Sequence, residues 1–112
     1  MNDRVARLTG LLGLAARAGR VVIGTSLICT ALQRGAAGKT PLLLVLAADG
    51  SPNTKKRISD RGAFYGVPVI SLPMDCAALA HCVGKRDALV AAVGVTEQHL
   101  ATAIWEASKE AL

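Results

Sequence analysis

Residues Leu42 to Ile58 read LLLVLAADGSPNTKKRI, and this stretch holds one complete strand–turn–helix unit. Leu42 to Ala47 is an unbroken apolar run, about as long as a strand and too short for a typical helix. With no polar position to turn toward water, such a strand is covered on both faces. Asp49-Gly50 supplies a turn. Ser51 is a helix cap and Pro52 fits the first helical position, where its missing N–H costs nothing. The helix that follows is expected to bury Thr54, Ile58, Gly62 and Tyr65, leaving Lys55, Lys56 and Arg57 spread over its outer surface.

The same alternation extends in both directions. Val5, Leu8, Leu12 and Ala15 mark one face of a first helix, capped by Asn2 or Asp3 and stopped by Gly19. Val21 to Ile23 is a short β-branched run, and Gly24 to Ser26 offers a turn and a cap. Leu27, Ile28, Ala31 and Leu32 form the apolar stripe of a second helix closed by Gly35, with Ser26, Thr30 and Arg34 opposite. Beyond the central unit, Val67 to Leu72 reads as a strand with Pro68 near its start. Ala77 to Val83 is a short helix ending at Gly84, and Lys85-Arg86-Asp87 is a turn. Ala88 to Val93 is the last strand, and Thr96 caps a final helix burying Leu100, Ile104 and Ala107. The order αβαβαβαβα, without linkers or repeats, predicts one α/β domain over residues 1–112, a sheet with helices on both sides.

Composition agrees with that architecture. Hydrophobic residues make up 52% of the 112-residue chain but aromatics only 3%, so the core is aliphatic. The net charge of +5 is unevenly placed. Ten basic residues against three acids lie up to Arg61, and three against five beyond it. A positive first half favours an anionic partner, although solvated helix faces carry such charges too.

Cys29, Cys76 and Cys82 form no metal-ligand pattern and are expected to be reduced, and no metal or cofactor is expected. The longest apolar run is far too short to cross a bilayer, which excludes a membrane role and favours a soluble, cytoplasmic protein. His81 and His99 have no evident carboxylate or nucleophile partner, so no catalytic residues are expected. Gly35 to Thr40, Gly-Ala-Ala-Gly-Lys-Thr, imitates a phosphate loop. It lacks the first glycine, where Gln33 stands, and it leaves a helix for a strand instead of the reverse.

Two segments point to nucleic acid. Lys55-Lys56-Arg57, with Arg61, can contact phosphates, each contact adding salt-sensitive affinity. Gly24-Thr25-Ser26 leads a glycine turn into a helix start, whose free N–H groups suit phosphate or base edges.

Leu11-Leu12-Gly13-Leu14-Ala15-Ala16-Arg17-Ala18-Gly19, the set Gly24, Ala31 and Gly35, and Leu44 to Asp49 carry a wider likeness. Asn53-Thr54-Lys55-Lys56-Arg57-Ile58-Ser59-Asp60 is its most specific part, and Val67-Pro68-Val69 with Leu79 to Gly84 extends it. From about Leu8 to Ile104 the chain resembles the ribosomal L7Ae/L30e family of RNA-binding proteins, most closely its bacterial YlxQ-like branch. The resemblance implies a three-layer α/β/α sandwich with a central mixed sheet. It also implies binding to structured RNA, often kink-turns, commonly ribosomal RNA together with ribosome or ribosome-assembly proteins, by a monomer. Kink-turn binders of the family read sheared G·A pairs with an Asn-Glu pair and a following Lys on the second helix. Ser26, Leu27 and Thr30 stand at those positions, and Leu79-Ala80-His81 stands for the Leu-Gly-Arg of the recognition loop. The RNA-binding set implied is Gly24, Thr25, Ser26, Thr30, Arg34, Lys55, Lys56, Arg57 and His81. Two other readings fit the same fold: a protein-interaction module, and a detached RNA-recognition domain of an RNA methyltransferase.

Overall fold

The computed structural model describes residues 3–85 and 88–111. Among the described residues nine elements follow one another: α1 (Asp3–Arg17), β1 (Val21–Ile23), α2 (Thr25–Arg34), β2 (Leu43–Ala47), α3 (Pro52–Tyr65), β3 (Val69–Leu72), α4 (Cys76–Cys82), β4 (Ala92–Val95) and α5 (Gln98–Ala111). The expected alternation is present. Asn2 as a cap for α1, and most of the Lys85-Arg86-Asp87 turn, lie outside the described residues.

The strands form one mixed sheet in the order β1-β4-β2-β3. β2 runs parallel to β3, because α3 carries the chain back between them, and β4 runs antiparallel to both β1 and β2. Period-two alternation divides the side chains between two cores. Leu43, Val45, Ala47, Val93 and Val95 face α1, α4 and α5, which contribute Leu8, Leu12, Leu79 and Ile104. Leu44, Leu46 and Ala92 face the other way, against Ile28 and Leu32 of α2 and Ile58 of α3. Burying each such Leu or Ile stabilises the fold by about 1.5–3 kcal/mol. The result is the three-layer α/β/α sandwich, with α2 and α3 forming one outer layer.

Local chemistry sets the helix ends. Ser51 Oγ accepts from the Thr54 amide at 3.1 Å, and Asp75 Oδ1 accepts from that of Ala78 at 2.7 Å. Gly35 and Gly66 close α2 and α3 with φ of 61° and 69°, a conformation that other residues adopt only under strain. Gly62 lets α3 lie against β3. A Cβ there would sit 2.5 Å from Val69 Cγ2 and 2.8 Å from the Val67 carbonyl oxygen.

Three expectations change. The last strand covers Ala92–Val95, not Ala88 to Val93. Ala88 to Ala91 leads in: Leu89 is exposed, Val90 N–H donates to the Cys76 carbonyl at 3.1 Å, and Ala91 presents its carbonyl to Ala47 N–H at 2.9 Å. β4 lies between two other strands and so needs residues buried on both faces, which Ala92–Val95 are. Gly94 is no breaker here, because Pro41 occupies the space its side chain would need. Thr96 does not cap α5. Its amide extends the sheet by donating to Arg20 O at 2.9 Å, while Glu97 Oε2 accepts from the Leu100 amide at 2.7 Å. β3 starts at Val69, two residues late, because Pro68 has no N–H and Val67 N–H turns back to the Gly62 carbonyl at 2.8 Å.

Candidate nucleic-acid interface

The starts of α2 and α3 meet at one end of the sheet. Gly24 N–H donates to Ala92 O at 3.0 Å, and Ala47 N–H donates to Ala91 O at 2.9 Å. Consecutive residues entering β4 thus hold the turns before both helices, two strand spacings or about 10 Å apart. On its far side the β2–α3 turn is tied to α4, as Asp49 Oδ1 accepts from Cys76 N–H at 2.7 Å. Hydrogen bonds from the Cys76 thiol and then its amide hold the Asp49 carboxyl below the usual carboxylate range. Burial, and then Asp49, push the Cys76 thiol up. All three cysteines are free and half-buried.

Gly24 enters α2 with φ 97°, and among the described residues no side chain caps the helix start. Thr25 and Ser26 are its first two residues, with Ser26 exposed. Thr30 Oγ1 donates to the Ser26 carbonyl at 3.1 Å. Beside this helix runs a groove of about 710 Å³ along β1, whose walls include Ile23, Leu27, Thr30, Arg34, Lys39 and Lys85. β1 is an edge strand, which leaves this flank of the sheet open. The groove therefore combines an apolar floor from β1 with three cations, and the α2 residues in its walls are Leu27, Thr30, Ala31 and Arg34, past the helix start.

Leu27 corrects the expected apolar stripe. It is 62% exposed and lines the groove, while Ile28 and Leu32 alone of that helix are fully buried. Residues 28 and 32 point straight at the sheet, and 27 lies about 100° around the helix from 28. Lys55 is a second correction. It does not spread over the outer surface but folds back, half-buried, to donate from Nζ to Ala48 O at 2.6 Å. Lys56 and Arg57 do stand outward. Lys56 pairs with Asp60 at 2.9 Å, and among the described residues no carboxylate pairs with Arg57, Arg61, Arg34, Lys39 or Lys85. The third correction concerns Leu79-Ala80-His81. These residues belong to α4, with Leu79 and Ala80 buried, so they form no recognition loop. His81 is exposed on the far layer, and the structure does not bring it to the α2–α3 face.

The structure thus joins Thr30 and Arg34 in the groove wall with exposed Ser26 on the same side of α2, leaves Gly24 and Thr25 at the helix start outside the groove lining, and sets Lys56 and Arg57 on neighbouring α3. Sequence reasoning missed Leu27, Lys39 and Lys85 of the groove, and Phe64 on α3. The Ile58, Gly62, Tyr65 stripe could have shown Phe64, since Arg57, Arg61 and Phe64 repeat it one residue earlier. Among the described residues no three His, Cys, Asp or Glu side chains group to hold a metal ion, and no helix is long and apolar enough to cross a membrane.

Comparison with known proteins places this arrangement. Residues 6–104 match the profile of the ribosomal protein L7Ae/L30e/S12e/Gadd45 family. RNA-binding protein YlxQ of Bacillus subtilis (strain 168) is 37% identical over 91 residues, covering 81% of this chain and 84% of the relative. RNA-binding protein YlxQ of Enterococcus faecium is 33% identical over 75 residues, 67% and 68% of the two chains. A protein with unknown function from Bacillus halodurans C has a similar structure, with a TM-score of 0.82 at 27% identity, covering 93% of this chain and 98% of that one. The Giardia lamblia 15.5kD RNA binding protein reaches 0.75 at 16% identity, covering 98% and 88%, a likeness of fold alone. With nearly its whole length matched, the chain belongs to the ribosomal protein L7Ae/L30e/S12e/Gadd45 family, in its YlxQ-like branch.

Proposed function

We propose that the chain binds structured RNA on its α2–α3 layer and performs no catalysis. The observation that carries this reading is the groove along β1, which gathers Arg34, Lys39 and Lys85 in its walls; the uncapped start of α2 lies on the same helix, outside the groove lining. Free helix N–H groups, and cations with no carboxylate partner among the described residues, both favour phosphate oxygens. The names of the relatives support RNA as the partner. A family of ribosomal proteins favours ribosomal RNA, bound in the cytoplasm by a single copy of the chain, with ribosome or assembly proteins nearby.

Standard kink-turn recognition is weak in this reading. Sheared G·A edges need hydrogen-bonding groups, whereas Leu27 offers none and the Thr30 hydroxyl donates to its own helix. Each missing bidentate base contact costs on the order of 1–3 kcal/mol, by analogy with DNA readout. Phosphate contacts persist without it, because they carry affinity without sequence information. A competition titration of kink-turn against duplex RNA of equal length, at fixed salt, tests this. Binding of both with a modest kink-turn preference supports the reading, and a preference of a hundredfold or more contradicts it.

A further inference from the structure

Outside the groove, the least expected surface is the outer face of α3. Asn53, Arg57, Arg61 and Phe64 follow one another at helical spacings of four, four and three. They make a stripe about 16 Å long, at 1.5 Å per residue. A shallow depression of about 520 Å³ lies on it, lined also by Lys56 and Asp60. Those two neutralise each other at 2.9 Å, so the remaining charge of the depression is that of Arg57 and Arg61. At its end stands Phe64, 78% exposed, the most exposed large hydrophobic side chain among the described residues. Its ring is not loose. Tyr65, packed against the second core, meets it edge-on at 4.9 Å and 81°.

We infer that Phe64 is a stacking platform for an unpaired base of bound RNA, with Arg57 and Arg61 holding the adjoining phosphates. The inference rests on the RNA reading above and extends it to a second contact, at the opposite end of α3 from the joined helix starts. An aromatic face accepts any base, and flanking cations complement the backbone on either side, which is how single strands are held without sequence preference. A protein partner that covered Phe64 would have to leave two guanidinium groups beside an apolar contact, which suits an anionic chain better. The site is therefore specific for single-stranded RNA next to a structured element, not for duplex, whose bases are stacked already.

Two fluorescent RNAs test this: a kink-turn stem with a six-uridine single-stranded extension, and the same stem without it. For the native chain the extension should tighten binding about tenfold. Phe64→Ala should cancel that gain and leave affinity for the plain stem unchanged, and circular dichroism should show an intact fold. Phe64→Trp should keep the gain and report it by quenched indole emission. A gain that survives Phe64→Ala overturns the platform, as does no gain in a native chain that binds the plain stem. Both results leave RNA binding itself standing. Failure of the native chain to bind either RNA overturns the RNA reading, and the platform falls with it.

Discussion

Leu27 stands where kink-turn binders of the family carry a carboxylate, and its side chain lies in the groove, not the core. Leu27→Glu should therefore change stability by no more than about 0.5 kcal/mol, as surface substitutions do. Urea unfolding measures it, and a loss of several kcal/mol would place the side chain in the core. Combining it with Ser26→Asn should raise the kink-turn preference at least about tenfold, the worth of one bidentate contact. Competition titration reads that change. Asp49 makes a different residue-scale case. Its carboxyl is held below the usual carboxylate range by Cys76, so its stabilising effect is present above the unfolded value. That effect disappears as pH falls through the folded value. Asp49→Asn should lower stability at neutral pH and flatten its decline in acid, as followed by thermal unfolding across pH 2–7 (roughly the carboxylate range). At this scale the sequence was only partly legible. Periodicity showed which residues face the sheet. It could not distinguish Leu27, just off the buried stripe, from Ile28 on it. Nor could it show that Lys55 turns back to the Ala48 carbonyl.

At the scale of elements, α3 joins packing and the proposed binding in one helix. Its inner face depends on Gly62, where any side chain meets Val69 and the Val67 carbonyl. Gly62→Ala should cost about 1–3 kcal/mol through overpacking, despite the better helix propensity of alanine. Denaturant unfolding decides the sign. Its outer face should contribute phosphate contacts. Changing Arg57 and Arg61 to Gln should reduce the slope of log affinity against log salt by about one for each phosphate left without its cation. An unchanged slope would move RNA to the α2 groove alone. Strand–turn–helix chemistry made the start of α3 after β2 readable almost residue by residue, because Ser51 and Pro52 are local signals. β4 was misplaced for the opposite reason. Gly94 reads locally as a breaker, and only the distant Pro41 packed over it makes that glycine a strand residue.

At the scale of the whole molecule, strand order decides where function can lie. Placing β4 between β1 and β2 brings the starts of α2 and α3 together and leaves the β1 edge open beside α2. The number of layers followed from the alternation of elements, whereas strand order follows from non-local pairing that periodicity does not encode. His81 shows the consequence. A likeness of local sequence put it among the RNA-binding residues, and the topology puts it on the opposite layer. The uneven charge acquires a location in the same way: Arg34, Lys39, Arg57 and Arg61, all from the basic half of the chain, belong to the α2–α3 layer and its groove. The most direct test of RNA binding by this layer is equilibrium titration of a fluorescent structured RNA over a series of salt concentrations. Log affinity should fall linearly with log salt, and Arg34→Gln with Lys39→Gln should both weaken binding and flatten the line. No detectable binding at low salt, or an affinity that neither salt nor these substitutions change, would contradict it.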